Sequence, residues 1–93
     1  MASINTTPDT TESWLTCHLD KGMFSDEVVV SYPATGSFKK SVFVPAADVQ
    51  GTPGARGKVR VRVVERHGKL LAVLPSSEHD IVEVADQADV SGD

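Results

Sequence analysis

The chain has 93 residues, of which 40% are apolar and 24% are charged, and its formal net charge is −4. These totals predict one small globular domain with little room for a deep catalytic cleft. The acidic balance opposes nucleic-acid binding by the whole surface, although it is compatible with a local basic patch. The single cysteine, Cys17, argues against a disulfide-stapled secreted domain and favours a cytoplasmic protein.

The two ends of the chain have the composition of tails. Residues 1–13 are rich in Thr, Ser and Asp, and they bury too little apolar surface to offset the entropy of ordering. They contain neither the basic nor the apolar region of a signal peptide, and no apolar run approaches the ~20 residues of a membrane helix. We predict a disordered tail over residues 1–13, one domain over residues 14–87 and a frayed C-terminus over residues 88–93.

Six segments have the alternation and residue types of short β-strands. Turn residues separate them, and no window of helical periodicity exceeds about two turns. In chain order the segments are residues 14–19, 27–32, 38–44, 58–65, 70–74 and 81–84. Short strands at this spacing predict a small barrel or sandwich. We predict an all-β, SH3-like barrel of five or six antiparallel strands.

The segment KVRVRVVERHGKLLAVL, residues 58–74, predicts a β-hairpin. Its valines alternate with cations, and Gly68 supplies the positive φ that a tight turn needs. The return strand, residues 70–74, is apolar on both faces. We therefore expect it to lie centrally in the sheet, and residues 58–65 to be more exposed.

The two halves of the domain resemble each other in outline. VFVPAADVQG (residues 42–51) and VEVADQADVSG (residues 82–92) each run from a strand through small residues to Asp-Val and a glycine. Each segment also predicts one 3₁₀ turn. The pattern indicates an internal pseudo-repeat, and chance recurrence of common turn residues is the alternative.

A row of cations alternates with the valines of residues 58–65. Their spacing of about 6.5–7 Å resembles the phosphate repeat of an extended single strand. The candidate nucleic-acid-binding residues are Lys39, Lys40, Lys58, Arg60 and Arg62. Only 5% of the chain is aromatic, and Phe43 is the outward-facing ring expected beside the row if its strand neighbours residues 58–65. The alternative is a solvated face whose cations pair with Glu27, Glu65 or Glu83.

Met23 and Phe24 are large apolar residues between Gly22 and an acidic pair. This position predicts either a cap over an open barrel end or an exposed groove for a protein partner. Met23 and Phe24 are therefore the candidate protein-binding residues.

No pattern of residues points to catalysis, a metal or a cofactor. Cys17 alternates with Leu15 and Leu19, as a small buried hydrophobe does. The serines lack a G-x-S-x-G context, and the histidines lack the spacing of metal ligands. Residues 51–57 are glycine-rich but lack the Lys-Ser/Thr and the helix of a phosphate-binding loop. We predict a non-enzymatic protein.

The segments GMFSDEVVVSY and VRVRVVERHGKLLAVLP together resemble small bacterial proteins of uncharacterised function with an SH3-like barrel. The resemblance covers roughly residues 15–84. The segments also resemble the barrels of translation and transcription proteins, without the glycine-punctuated loops of those proteins. The resemblance implies the fold and no binding or catalytic residue.

These patterns favour a β-barrel that binds another protein, through Met23 and Phe24 or through an open strand edge. No membrane partner is expected. The alternative function is a nucleic-acid-binding barrel that uses the basic strand face.

Overall fold

Alternating apolar residues mark the longer β-strands of this chain, because successive side chains of a strand point to opposite faces. The computed structural model describes residues 11–92. The strands are β1 (Thr11–Lys21), β2 (Glu27–Tyr32), β3 (Lys40–Pro45), β4 (Val49–Gln50), β5 (Arg56–Arg66), β6 (Lys69–Val73), β7 (Ile81–Glu83) and β8 (Val90–Gly92). Two 3₁₀ turns, Ala46–Asp48 and Gln87–Asp89, immediately precede β4 and β8.

The strands form one antiparallel sheet in the order β3-β2-β1-β5-β6-β7, with β4 paired to β5 and β8 paired to β1. β1 and β5 form its longest ladder, eight residue pairs from Thr11–Val63 to His18–Arg56. The sheet curls until the free edges of β3 and β7 approach each other, where the Lys40 Nζ lies 3.1 Å from an Asp80 carboxylate oxygen. The result is a nearly closed antiparallel barrel, which confirms the predicted fold class.

The inward-facing side chains of the strands fill the barrel. The buried apolar residues are Leu15, Cys17, Leu19, Val28, Val30, Tyr32, Val44, Val59, Val61, Ala72, Leu74 and Val82. The alternation predicted for β1 and β5 is confirmed, because their buried residues all fall at odd-numbered positions.

The predicted hairpin of β5 and β6 has a two-residue turn. His67 and Gly68 both have positive φ, 54° and 78°, as the two central residues of a type I′ turn require. β6 lies between β5 and β7, so its central position is confirmed. β5 is also an interior strand, between β1 and β6. Its exposed cations therefore belong to its outer face and not to an edge, and the strand is more exposed than β6, as predicted.

The strand boundaries differ from the prediction at both ends of the domain. β1 begins at Thr11, so Glu12 and Ser13 belong to a strand and not to a tail. Residues 90–92, expected to fray, form β8 on β1. β4 and β8 are too short to show periodicity, which is why six strands were predicted and eight are found. Residues 1–10 and 93 lie outside the described part of the chain.

The predicted pseudo-repeat corresponds to a pseudo-two-fold relation between β1–β4 and β5–β8. In each half the first strand pairs with the second and the second with the third, and the last strand pairs with the first strand of the other half. The registers agree as well. Leu15 pairs with Val59 and Val90, and Val59 pairs with Leu15 and Val49. The pseudo-two-fold rotation therefore exchanges Leu15 and Val59, which pair with each other, so its axis passes through this pair.

Candidate functional site

Met23 and Phe24 lie at the tip of the turn between β1 and β2. The turn is closed by two backbone hydrogen bonds, from Gly22 N to Glu27 O (3.2 Å) and from Glu27 N to Phe24 O (3.1 Å). Met23 is 78% exposed and Phe24 is 67% exposed, the highest values among the large apolar residues that the structure describes. They therefore do not cap the barrel core, which the alternative interpretation of this segment required.

An open groove of about 550 Å³ runs beside the turn. Its apolar wall includes Val28, Ala46, Val49 and Pro53, so Met23 and Phe24 extend an existing apolar surface. The volume lies within the range of sites that hold small ligands or side chains of a peptide. We call this groove, together with Met23 and Phe24, the tip groove.

Glu27 is the acidic residue of the tip groove, opposite in charge to Lys21 on the same lining. Its Oε1 is buried and, within residues 11–92, has no hydrogen-bond donor. The stem of the side chain packs over Gly22, where an added Cβ would lie 3.0 Å from Glu27 Cγ. No ion pair within 4.0 Å joins Lys21 to Glu27 in this part of the chain. A covered carboxylate oxygen without a donor has lost hydration without compensation.

The basic face is the outer surface of β5 and its neighbour β1. Its cations are Arg56, Lys58, Arg60 and Arg62, and the register places them opposite His18, Thr16, Trp14 and Glu12 in that order. The outward orientation predicted for Lys58, Arg60 and Arg62 is what β5 shows. The five candidate nucleic-acid-binding residues nevertheless do not form one patch, because β2 and β1 separate β3, with Lys40, from β5. Lys39 directly precedes β3.

Arg60, at the centre of the basic face, already has partners within the chain. Its Nη1 lies 3.5 Å from Glu12 Oε1, and its guanidinium carbon lies 5.2 Å from the centroid of the Trp14 ring. Its Nε is 3.8 Å from Asp48 Oδ1, an ion pair beyond hydrogen-bond distance. Carboxylates from β1 and from the first 3₁₀ turn thus replace the glutamates that were expected to pair with the row.

Aromatic rings flank the cations where few were expected. Trp14 contacts Arg60, and the rings of His18 and Phe38 stack with centroids 5.5 Å apart. Trp14 and His18 lie on the outer face of β1, opposite the cations of β5. Neither ring was predicted beside the row, because the pairing of β1 with β5 was not predicted. Phe43 lies on β3 and is therefore not a neighbour of the row.

A buried hydrogen-bond network holds the last part of the chain. Tyr32 Oη accepts from Ala85 N (2.8 Å) and donates to Asp89 Oδ2 (2.7 Å). Burial and the Asp89 carboxylate raise the pKa of Tyr32 to about 12. The hydroxyl therefore stays protonated and ties β2 to the second 3₁₀ turn.

The remaining reactive groups do not assemble a catalytic centre in the described residues. Cys17 lies in the core, and burial raises the pKa of its thiol to about 12, so the nucleophilic thiolate is scarce at neutral pH. No group of three His, Cys, Asp or Glu residues within residues 11–92 is placed to hold a metal ion.

Over the same residues, the chain has no helix with the length and apolar character needed to cross a membrane.

Comparisons with protein-family models, curated proteins and solved structures find no match to this chain. The barrel is compatible with the SH3-like class by its geometry, and the case for any function is built on the two surfaces described above.

Proposed function

We propose that this barrel is a non-enzymatic interaction module that binds another protein through the tip groove. The observation that carries the proposal is the exposure of Met23 and Phe24, neighbours in the chain, on an extended turn. Four residues lie between Gly22 and Glu27, whereas two lie between Arg66 and Lys69, the equivalent positions of the second half. The sheet does not need the extra length, so its apolar residues are better explained by a partner.

The free energy available at the tip groove supports the same conclusion. Covering a Met or Phe side chain contributes about 1.5–3 kcal/mol relative to leaving it in water. Two such side chains beside an apolar wall form an anchor of the kind that dominates protein interfaces. Because the turn is held by hydrogen bonds at Gly22 and Glu27, little conformational entropy is lost when a partner covers it.

Selection of random displayed peptides against the full chain tests this proposal. We expect enriched peptides to bind the wild type and to lose about tenfold or more in affinity on the double variant Met23→Ser/Phe24→Ser. Ile81→Ser is the matched control, since Ile81 is 54% exposed on β7, outside the tip groove. Circular dichroism checks that both variants fold. Peptides that bind the double variant as well as the wild type, or a selection that enriches none, would contradict the proposal.

A second candidate function is binding of single-stranded nucleic acid by the basic face. The observation that favours it is the position of Trp14 and the His18–Phe38 stack beside the cations, because base stacking on such rings accompanies phosphate contacts. Arg60 limits this function, since Glu12 and Asp48 offset its charge and its guanidinium covers the Trp14 ring.

A titration of the full chain with a short single-stranded oligonucleotide at ~50 mM salt tests the second candidate, because phosphate contacts are strongest at low salt. Binding predicts amide shifts along residues 56–62 and at Trp14, and these should weaken as salt is added. The double variant Lys58→Ala/Arg62→Ala should reduce them, and Lys69→Ala is a control outside the row. The absence of shifts at low salt would exclude this function.

A further inference from the structure

Glu27 places a carboxylate on the wall of the tip groove, and no ion pair within residues 11–92 joins it to a cation. One of its oxygens is covered and lacks a donor. Its nearest basic neighbour along the groove lining, Lys21, makes no ion pair with it. Once the side chain turns to present it, a carboxylate oxygen without a donor gains free energy from a donor that a bound segment supplies, and it gains most from a cation.

The backbone of Glu27 is fixed beside the apolar anchor. Its N–H donates to Phe24 O and its carbonyl accepts from Gly22 N, so both sides of its peptide backbone are tied to the turn. The Cα of Glu27 therefore stands at a constant place next to Met23 and Phe24. A segment that seats an apolar side chain there brings the adjacent residue to Glu27.

The chemistry of that adjacent residue follows from the charge around it. One carboxylate is too few for a metal site, since Ca²⁺ takes six to eight oxygen ligands. The chain as a whole carries a net charge of −4, which attracts cationic segments and repels acidic ones. An Arg or Lys side chain satisfies both the local carboxylate and the overall field.

We infer that the partner segment of the tip groove carries an Arg or Lys next to its apolar anchor, and that Glu27 selects it. This inference rests on the proposed function, because it names the chemistry of the segment bound there. Glu27 is then a specificity-determining residue, and Met23 and Phe24 supply the bulk of the apolar contact.

The peptides selected on the wild-type chain test the inference directly. We expect the enriched sequences to share a Lys or Arg beside an apolar residue. Replacement of that Arg in a synthetic peptide by citrulline, which keeps the shape and removes the charge, should weaken binding to the wild type about tenfold. A Lys would be replaced by its acetylated form.

Variants of the chain complete a double-mutant cycle. Glu27→Gln should bind the cationic peptide about tenfold more weakly than the wild type does. It should bind the neutral peptide with the affinity of the wild type, so the preference for the cationic peptide is lost. Asp26→Asn is the matched control, because it removes the same charge at the next position, an exposed residue outside the groove lining. It should retain most of the discrimination. The melting temperature of Glu27→Gln should not fall, since the lost carboxylate makes no hydrogen bond in the fold through Oε1.

The outcomes separate this inference from the function on which it rests. Enriched peptides that depend on Met23 and Phe24 but lack a cation, or that bind Glu27→Gln and the wild type equally, overturn the inference and leave the module intact. An equal loss of affinity in Glu27→Gln and Asp26→Asn also overturns it, because a general field would then explain the preference. Failure of any peptide to depend on Met23 and Phe24 overturns the proposed function itself.

Discussion

The two halves of the barrel share a strand order and a register, yet they differ at the turn between their first two strands. In the second half the two residues His67 and Gly68 make this turn. In the first half it has four residues, 23–26, and begins with the exposed Met23 and Phe24. Because one half closes the same hairpin with a tight turn, closure of the hairpin does not require the longer turn of the other half, whose Asp26 carbonyl accepts a hydrogen bond from Ala46 N (2.8 Å).

The positions that flank the two turns differ in the same sense. Arg66 and Lys69 are exposed in the second half, where water satisfies their charges. Gly22 and Glu27 occupy the equivalent positions in the first half, and the Glu27 stem packs over the glycine. The glycine thus leaves room for the Glu27 backbone carbonyl and for the stem of its side chain, whose Oε1 has no donor within residues 11–92.

Shortening the long turn to the length of the short one should have the largest effect on function. Replacing residues 23–26 by His-Gly copies the second half, so the barrel should fold, with a melting temperature lowered only by the loss of the hydrogen bond from Ala46 N to Asp26 O. Binding of peptides at the tip groove should be lost completely. Thermal melts and peptide titrations measure the two quantities. If the shortened chain does not fold, the four-residue turn is part of the architecture, and the comparison between the halves no longer supports a binding role.

The two halves also divide core volume differently. The pseudo-two-fold axis relates Leu19 to Val63 and Gly57 to Ser13. One site therefore combines a large residue with a glycine, whereas its equivalent combines two residues of more similar size. A Cβ at position 57 would collide with Leu19 Cδ1 and would lie 2.5 Å from the Gln50 carbonyl oxygen. Neither neighbour has room to yield fully, since Leu19 is buried and the carbonyl belongs to the backbone.

Gly57→Ala should therefore lower the free energy of unfolding by about 1–3 kcal/mol, the usual cost of overpacking a core. Urea unfolding measures it, and labelling of the buried Cys17 thiol reports on opening of the same region. Adding Leu19→Val should recover part of the loss, because the shorter side chain has no Cδ1 to meet the new Cβ. If the double variant is less stable than Gly57→Ala alone, steric exchange between Leu19 and position 57 is the wrong explanation.

A structural feature can be predicted from this sequence when it depends on residues that are close together in the chain. Alternation is local, so the buried Val59 and Val61 and the outward cations could be assigned from period-2 patterning. The tight turn at Gly68 could also be predicted from neighbouring residues alone. Strand order depends on contacts between distant residues, and the pairing that brings Trp14 beside Arg60 has no local signature.

The candidate site divides in the same way. Met23 and Phe24 could be selected because two large apolar residues stand between a glycine and acids, which is a property of the sequence. The state of Glu27 could not be predicted, because it depends on how its side chain packs over Gly22 in the folded turn. The prediction that residues 90–92 fray is wrong for a related reason, since β8 is stabilised by its pairing with β1 and not by its own composition.

The two 3₁₀ turns offer a comparison of buried and exposed polar contacts. Asp89 of the second turn accepts a hydrogen bond from the buried Tyr32 hydroxyl. Tyr32→Phe leaves Asp89 and the Ala85 N–H without this partner, so it should cost about 1–3 kcal/mol of unfolding free energy. Urea unfolding measures the loss. Tyr32→Leu copies Leu74, its equivalent, and should cost no less. A change below about 0.5 kcal/mol in Tyr32→Phe would show that water replaces the hydroxyl without penalty.

Asp48 is the equivalent residue of the first turn, and it contacts the half-exposed Arg60 instead. Arg60→Ala should cost less than about 1 kcal/mol, because solvent screens exposed ion pairs. Lys58→Ala, a neighbour on the same outer face without an ion pair in the described residues, should be close to neutral. Equal losses in Arg60→Ala and Tyr32→Phe, measured in the same urea series, would remove the distinction between the two turns.

The smallest effect on stability is expected at the seam between β3 and β7, where the two halves of the barrel also contact each other. Lys40 and Asp80 are also equivalent positions, and their ion pair lies at the seam between β3 and β7. A hydrogen bond from the Ser76 hydroxyl, and then the neighbouring Lys40, lower the pKa of Asp80 below its usual 3.8. A lowered pKa means that this carboxylate stabilises the fold fully at a pH above its unfolded pKa. The contribution disappears as the pH falls from 3.8 through the folded pKa.

Asp80→Asn should therefore be slightly less stable than the wild type near neutral pH, and the stabilities of the two proteins should converge in acid. Urea unfolding from neutral pH down to about pH 2 measures the convergence. A constant difference across that range would mean that the seam is held by the Asp80 backbone and by packing, and that the charge pair at the second meeting point of the halves adds nothing.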